Sequence, residues 1–405
     1  MIREFSPGCN GQRSTSRGFG ALLQPGVAQN QLSSWCRHGG YCNDPSRYAI
    51  SGLRMITGNF SPGSPSQQGY RMPAEWEPHE ATWLSWPHRE GISFPDSYDS
   101  VMPAFAQMVG ALRESEKVCI NVMDYDQEEQ VRFLLRDTDT AHVEFFHIAT
   151  NEPWCRDHGP IFIKREQHPR LAILDWAYNA WGGKYPPFDL DDAVPTRIAE
   201  RLQVPVYYPG LVMEGGSIDV NGSGSLLATT ACLLNPNRNP NSCKAEIEQS
   251  LCDNLGVSHI LWLGDGIEGD DTDGHIDDIT RFVARATVVT AVEDDPQDRN
   301  YEPLQSNLKL LKTMANERGK PLKVVELPMP PRIEKGDRRL PASYANFYIG
   351  NKVILLPVFN SRKDQLAIEI LQSCFPTRKI VPIDCRELLW GLGAFHCLTQ
   401  QQPAT

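Results

Sequence analysis

One pattern recurs along this chain and limits what it can fold into: two apolar strand-like runs joined by a polar turn, then a helical stretch, then a short apolar run. It reads first as G-P-I-F-I-K and L-A-I-L-D-W-A-Y between Gly159 and Tyr178, a helix over Asp191 to Leu202, and V-P-V-Y-Y. It returns as I-D-V and S-L-L-A-T-T across Asn221 to Gly224, a helix over Lys244 to Leu255, and H-I-L-W-L. A third copy joins H-I-D-D-I-T-R-F-V and T-V-V-T-A-V to a helix over Leu304 to Ala315 and K-V-V-E-L. The fourth runs N-F-Y-I, V-I-L-L-P-V across Gly350-Asn351, a helix over Asp364 to Gln372, and K-I-V-P-I. Asn-Gly and Gly-Asn between strand-like runs signal hairpins, because such turns need backbone angles these residues tolerate. The leading segment, with T-W-L-S-W, a helix over Met102 to Glu114 and V-C-I-N-V, forms a fifth copy once the strand after Cys397 completes it. No unit of this size buries its apolar faces alone, so the five must close on one another. The sequence therefore predicts an α/β fold, a five-bladed propeller of strand-strand-helix-strand units about a pseudo-fivefold axis. It argues against the two or three separate domains that 405 residues permit.

Residues 1–70 lie outside the repeats. They are rich in Gly, Ser, Gln, Asn and Pro, lack a sustained period, and are expected to form a disordered extension ahead of a single catalytic domain over 71–405. Met55 or Met72 is the expected biological start. A net charge of -11 and a pI near 5.4 argue against nucleic acid or an anionic membrane as partner and suit a small cationic substrate. No apolar run approaches a membrane span and the N-terminus lacks the apolar core of a signal peptide, so a cytoplasmic location is expected. The 11 cysteines are odd in number and contain no C-x-x-C pair, which fits free thiols in a reducing compartment and removes the usual zinc spacings.

Equivalent positions in a ring meet at its axis. Asp157 in W-C-R-D-H-G-P, Glu214 in M-E-G-G-S, His275 in D-T-D-G-H-I-D-D and Asn346 each precede the first strand of a unit, and Cys397 opens the closing strand. Buried carboxylates require a cation, and Arg156 is the basic residue nearest these positions. A planar guanidinium matches carboxylates bidentately and stays protonated. Clamped between Asp157 and Asp277, it would be held in line with the Cys397 sulfur. Gly391 and Gly393 are expected to free the backbone for close approach to that ligand. Cys397 then acts as the nucleophile, His275 moves protons, and Glu214 orients or charges His275. The predicted reaction is hydrolytic deimination of a guanidine through a covalent cysteine intermediate, with no cofactor and no metal.

Other readings of the same residues stand beside this one. Cys397 could be a buried structural thiol, and the Asp-rich loop a solvated one. An EF-hand reading fails because Gly269 falls at the first ligand position and Thr280 where a bidentate Glu belongs. Zinc at His275 lacks a close-spaced ligand pair. Trp83, Trp86, Trp176 and Trp181 read as packing, Trp154 as pocket wall or core, and Cys155 as a thiol adjoining the clamp. A non-catalytic protein that merely binds a cation would need neither cysteine nor histidine.

The runs P-A-E-W-E-P-H-E-A-T-W-L-S-W-P, W-C-R-D-H-G-P, Y-N-A-W-G-G-K-Y-P-P-F-D-L-D, E-G-G-S-I, T-T-A-C-L-L-N-P-N-R-N-P, D-D-T-D-G-H-I-D-D and H-C-L-T-Q-Q-Q-P resemble those of the agmatine deiminase family. This group is related to bacterial-type peptidyl-arginine deiminases in the guanidino-group-modifying superfamily. The resemblance spans Met72 to Pro403 and implies the five-bladed propeller of the pentein fold, the nucleophile at Cys397, the histidine at His275, carboxylates at Asp157 and Asp277, Glu214 beside them and Trp154 as pocket wall. It also implies a homo-oligomer and a reaction from agmatine to N-carbamoylputrescine and ammonia, a step of putrescine formation. Arginine, a peptidyl arginine or amidino transfer are the alternatives. The family typically reads G-G-G-N-I-H-C before the nucleophile, whereas this chain has G-L-G-A-F-H-C. Leu392, Ala394 and Phe395 make that loop bulkier and less polar, which bears on the far end of the substrate.

Overall fold

A computed structural model describes residues 63–405. Each repeat forms its own small mixed sheet. Ile161–Lys164 runs antiparallel to Leu171–Leu174, which pairs in parallel with Val206–Tyr207. Ile218–Val220, Ser225–Thr229 and His259–Leu263 repeat that order, as do Thr280–Ala284, Thr287–Val292 and Lys323–Pro328. Tyr348–Ile349, Val353–Val358 and Lys379–Asp384 form the fourth copy. In the remaining sheet the chain's end supplies the missing hairpin partner: Thr399–Pro403 lies antiparallel to His79–Ser85, which pairs in parallel with Lys117–Val122.

The parallel pairing explains the helices. A parallel strand cannot follow through a tight turn, so a helix carries the chain back across the sheet. Tyr98–Leu112, Val194–Leu202, Lys244–Leu255, Tyr301–Leu311 and Arg362–Cys374 do this in the five units. The last is typical in its local coding. Ser361 accepts from Lys363 N, Asp364 reaches back to Ser361 N, and Ala367 and Leu371, one turn apart, face the interior. Middle strands such as V-I-L-L-P-V are continuous apolar runs because they are covered on both faces.

Two features differ from the sequence reading. The leading sheet has a fourth strand, Val143–His147, reached through a helix at Tyr125–Leu134. Its E-F-F-H run alternates weakly, since much of it is only partly covered. Residues 63–70, assigned to a disordered extension, instead pack on the body. Tyr70 is buried and its hydroxyl donates to Pro169 O, while Ser66 N donates to Asp253 O. The rest of the expected extension, 1–62, lies outside the described residues.

At the centre, Glu75 gathers groups from four units. Its carboxylate accepts from Arg281 Nη2 at 2.8 Å, His396 Nε2 at 2.8 Å, Ile349 N at 2.8 Å and Arg156 Nη2 at 3.4 Å. Burial alone would push this carboxyl up, but Arg281, His396 and Arg156 outweigh it and hold it well below the usual range. Removing it would leave two guanidinium groups buried with less compensation. Glu75→Ala should therefore cost about 3–5 kcal/mol, read as a lower urea midpoint at unchanged slope. A loss under about 1 kcal/mol would show the hub to be dispensable.

Candidate active site

Short helical turns precede the leading strands and aim the suspected side chains inward. Asp157 sits in Cys155–His158, Glu214 caps Gly215–Ser217, His275 caps Ile276–Asp278 with Asp277 inside it, and Cys397 sits in Phe395–Leu398. Three of these groups crowd around Gly216. A Cβ there would fall 2.5 Å from His275 Nδ1, 2.7 Å from Asp157 Oδ1 and 3.1 Å from Asp277 Oδ2. Gly216 N also donates to Asp157 Oδ1 at 3.0 Å. Glu214 Oε2 lies 3.9 Å from His275 Nε2, on the far side of the ring from Asp157 at 3.7 Å. The Cys397 sulfur is 3.7 Å from Asp277 Oδ2 and accepts from Asn346 Nδ2 at 3.0 Å. Asp157, Glu214, His275, Asp277 and Cys397 thus form one connected cluster, with Asn346, the fourth copy's equivalent, within it.

A cavity of about 350 Å³ opens onto this cluster, lined among others by Trp154, Asp157, Trp181, Leu392 and Cys397. Trp154 is a wall of the cavity, its indole N–H donating to Ser93 Oγ at 2.9 Å. Gly391 and Gly393 line the cavity and also make room for that wall. A Cβ would meet the Trp154 ring at 2.8 Å from Gly391 and at 2.4 Å from Gly393. Of the three bulkier loop residues only Leu392 faces the cavity, held at a φ of +71°, while Ala394 and Phe395 turn into the core. A branched side chain in that left-handed region is strained, and such strain persists only where the surroundings enforce it.

The charges are set mainly by burial. It pushes the Asp157 carboxyl up to about 6, with His275 opposing and Asp277 and Glu214 adding to the rise. It also pushes the Cys397 thiol well above its ordinary value, reinforced by Asp277, Asp278 and Asp157. For His275 burial acts downward, yet the Asp157 charge and the contacts with Cys232 and Glu214 raise it well above the usual imidazole range. Asp277 is held low against burial by the bond and charge of His396. The site is rich in negative charge and holds its thiol protonated, which is what a cation entering it would reverse.

Several neighbours were not legible in the sequence. His396 stood beside Cys397 without a role; its Nδ1 lies 2.6 Å from Asp277 Oδ2 and its Nε2 on Glu75, so it fixes Asp277 from behind. Trp181, read as packing, donates to Asp157 Oδ2 at 3.0 Å from a turn in which Ala180 and Trp181 have φ of 50° and 56°. Arg156 does not face the carboxylate pair: it donates to Gln400 Oε1 at 2.7 Å and to the His396 carbonyl. The compensating guanidinium is Arg238, from N-P-N-R-N-P, whose Nε donates to Glu214 Oε1 at 2.6 Å. In the acidic loop Asp270 accepts from Thr272 N, Gly274 N and His275 N, so it holds His275 in place and is not merely solvated. Among the described residues no helix is long and apolar enough to cross a membrane.

Known proteins share this arrangement of segments. The family model for Porphyromonas-type peptidyl-arginine deiminase matches residues 71–403. A protein of Legionella pneumophila (strain Paris), provisionally named agmatine deiminase, is 37% identical over 341 residues, covering 84% of this chain and 97% of its own. Among solved structures, agmatine deiminase of Enterococcus faecalis superposes with a TM-score of 0.80 at 35% identity, covering 85% of this chain and 98% of that one. A cysteine-to-serine variant of the C. jejuni agmatine deiminase with substrate bound gives a TM-score of 0.75 at 32% identity, covering 82% of this chain and 96% of that one. The mixed-sheet α/β fold of this chain is thus one it shares with solved agmatine deiminases. The chain belongs to the agmatine deiminase and peptidyl-arginine deiminase family.

Proposed function

We propose that this protein is a hydrolase that deiminates a guanidino compound, with agmatine to N-carbamoylputrescine and ammonia as the leading reaction. The observation that carries it is one cavity lined by both Asp157 and Cys397, with Asp277 3.7 Å from the Cys397 sulfur. A guanidinium between the two carboxylates neutralises the charges that keep the thiol protonated, so binding itself favours the thiolate. The sulfur attacks the guanidino carbon; the bond from that carbon to a terminal nitrogen breaks, and His275 gives that nitrogen the proton with which it leaves as ammonia. Water then attacks the amidino-thioether, gives a proton to His275, and the carbon–sulfur bond breaks to release the ureido product and the thiolate. Glu214, held by Arg238, stands behind His275 and favours its protonated form. Relatives named for agmatine deimination support the choice of substrate.

The five-bladed ring belongs to the same reading. Its support is that Thr399–Pro403 lies against Ile161–Lys164, Ile218–Val220 against Thr280–Ala284, and Glu75 collects partners from four units. One observation keeps arginine beside agmatine. Arg338, half-exposed at the cavity's mouth, reaches Asp271 at 3.4 Å and would suit an α-carboxylate.

Colorimetric detection of ureido product from agmatine, arginine and a blocked arginine peptide tests this directly. Agmatine should be turned over with the highest kcat/KM, and no product from any of the three would defeat the proposal. A second check comes from Asp157, which must be ionised to hold the cation. Below about pH 6 its carboxyl takes up a proton, so kcat/KM should fall about tenfold per pH unit there. A profile flat down to about pH 5 would remove Asp157 from the clamp.

A further inference from the structure

Cys232 is a buried thiol that the proposed reaction does not use, yet it reaches the histidine the reaction depends on. One ligand atom each from Glu214, Cys232 and His275 lies within 4.8 Å of the others, and all three residues are buried. The Glu214 Oε2 to His275 Nε2 separation is 3.9 Å. Around a tetrahedral zinc ion, with bonds of about 2.0 Å to nitrogen or oxygen and 2.3 Å to sulfur, ligand atoms stand roughly 3.3–3.6 Å apart. Side-chain shifts of less than about an ångström would close the set.

Two further observations point to a ligand. Neither nitrogen of His275 nor Glu214 Oε2 has a hydrogen-bond partner among the described residues, although each is buried. Buried polar atoms rarely go without partners, and those that do call for a cause. The second oxygen of Glu214 is taken by Arg238, and the second nitrogen of His275 faces Asp157 at 3.7 Å. Ligating carboxylates take a partner such as Arg238 behind them, whereas the approach of His275 to Asp157 is an ion-pair distance and not a hydrogen bond. Cys232 is held by its backbone, its N–H donating to Thr229 Oγ1 at 3.2 Å. A sulfur, nitrogen and oxygen set suits zinc-class ions and disfavours calcium or magnesium.

We propose that Glu214, Cys232 and His275 form a binding site for a zinc-class divalent ion, and that filling it shuts off deimination by occupying His275. As the bonds to the metal form, Cys232 gives its thiol proton, and protonated His275 its Nε2 proton, to solvent. The shut-off half rests on the role proposed for His275; the binding half does not. The sequence could not display such a site, because its ligands come from three separate segments.

The probe is Co2+ titrated into Cys397→Ser protein, which lacks the cavity thiol. A thiolate-to-cobalt charge-transfer band should appear, saturate at a single equivalent, and be displaced by Zn2+. Cys232→Ser in the same background should abolish it; Cys243, Cys252 and Cys374 remain in both proteins, so the difference isolates Cys232. A band that survives Cys232→Ser overturns the site. Should that variant fail to fold, Glu214→Gln takes its place and should weaken Co2+ binding roughly tenfold or more, unchanged affinity again overturning the site. In wild type, Zn2+ should inhibit reversibly, and Cys232→Ser should raise the half-inhibiting concentration roughly tenfold or more. Inhibition indifferent to Cys232 would place the ion on Cys397 and overturn the shut-off. A Cys232-dependent band without any inhibition would leave the site standing and remove His275 from the reaction.

Discussion

Replacing Cys397 with alanine should reduce kcat/KM for agmatine by a factor on the order of 10⁴ or more, because nothing else at the cavity can form the covalent intermediate. The carboxylates that would hold the cation are untouched, so binding should survive and be measurable by calorimetry. In wild type, acid quenching during turnover should trap an adduct on the peptide bearing Cys397, heavier than the free peptide by the substrate less ammonia. If Cys397→Ala keeps even a tenth of the activity, or if the adduct appears on another cysteine, the covalent mechanism is wrong. Burial and three nearby carboxyls raise the Cys397 thiol, which adds a further expectation. Alkylation by iodoacetamide at neutral pH should be slow without substrate, since the thiolate is the reactive form.

Gly216→Ala should lower kcat/KM by roughly 100-fold while leaving the fold intact, because the added methyl group enters the space where His275, Asp157 and Asp277 meet. The groups it strikes are the ends of side chains, which move aside, and their displacement spoils the alignment. The glycine before it behaves differently. A Cβ at Gly215 would lie 2.2 Å from the Arg156 carbonyl oxygen, a backbone atom that cannot yield cheaply. Gly215→Ala should therefore act on stability, lowering the thermal midpoint by several degrees, a cost of order 1–3 kcal/mol from overpacking. Adjacent glycines in E-G-G-S thus separate into one that protects the fold and one that makes room for chemistry. Equal effects of the two substitutions on stability and rate would refute that division.

Periodicity carried the repeat units well. Hairpin, helix and parallel strand fell where alternating and continuous apolar runs placed them, since each unit is coded locally by turn residues, caps and burial. The leading sheet was harder, because its hairpin partner is supplied from the other end of the chain, and its fourth strand, Val143–His147, is too lightly buried to leave a clean pattern. Asp157, Glu214, His275, Asn346 and Cys397 were legible as a set because each occupies the equivalent place in its repeat, and Asp277 was read as a clamp residue two positions past His275. Their supports were not. Arg238 takes Glu214 and His396 takes Asp277 through side-chain directions that no spacing encodes, and Arg156, expected near the clamp, points to Gln400. The glycines before Cys397 were visible as a need for close approach, but not as room for Trp154.

The linear order of residues by itself determined the local elements, their repetition and the types of side chain that precede each leading strand, because backbone preferences and apolar period act over a few neighbours. Tertiary structure alone decided which charges are paired and which buried atoms stand open. Those depend on distances between segments scores of residues apart, and in a dry interior a difference of an ångström separates a hydrogen bond from an orphaned group.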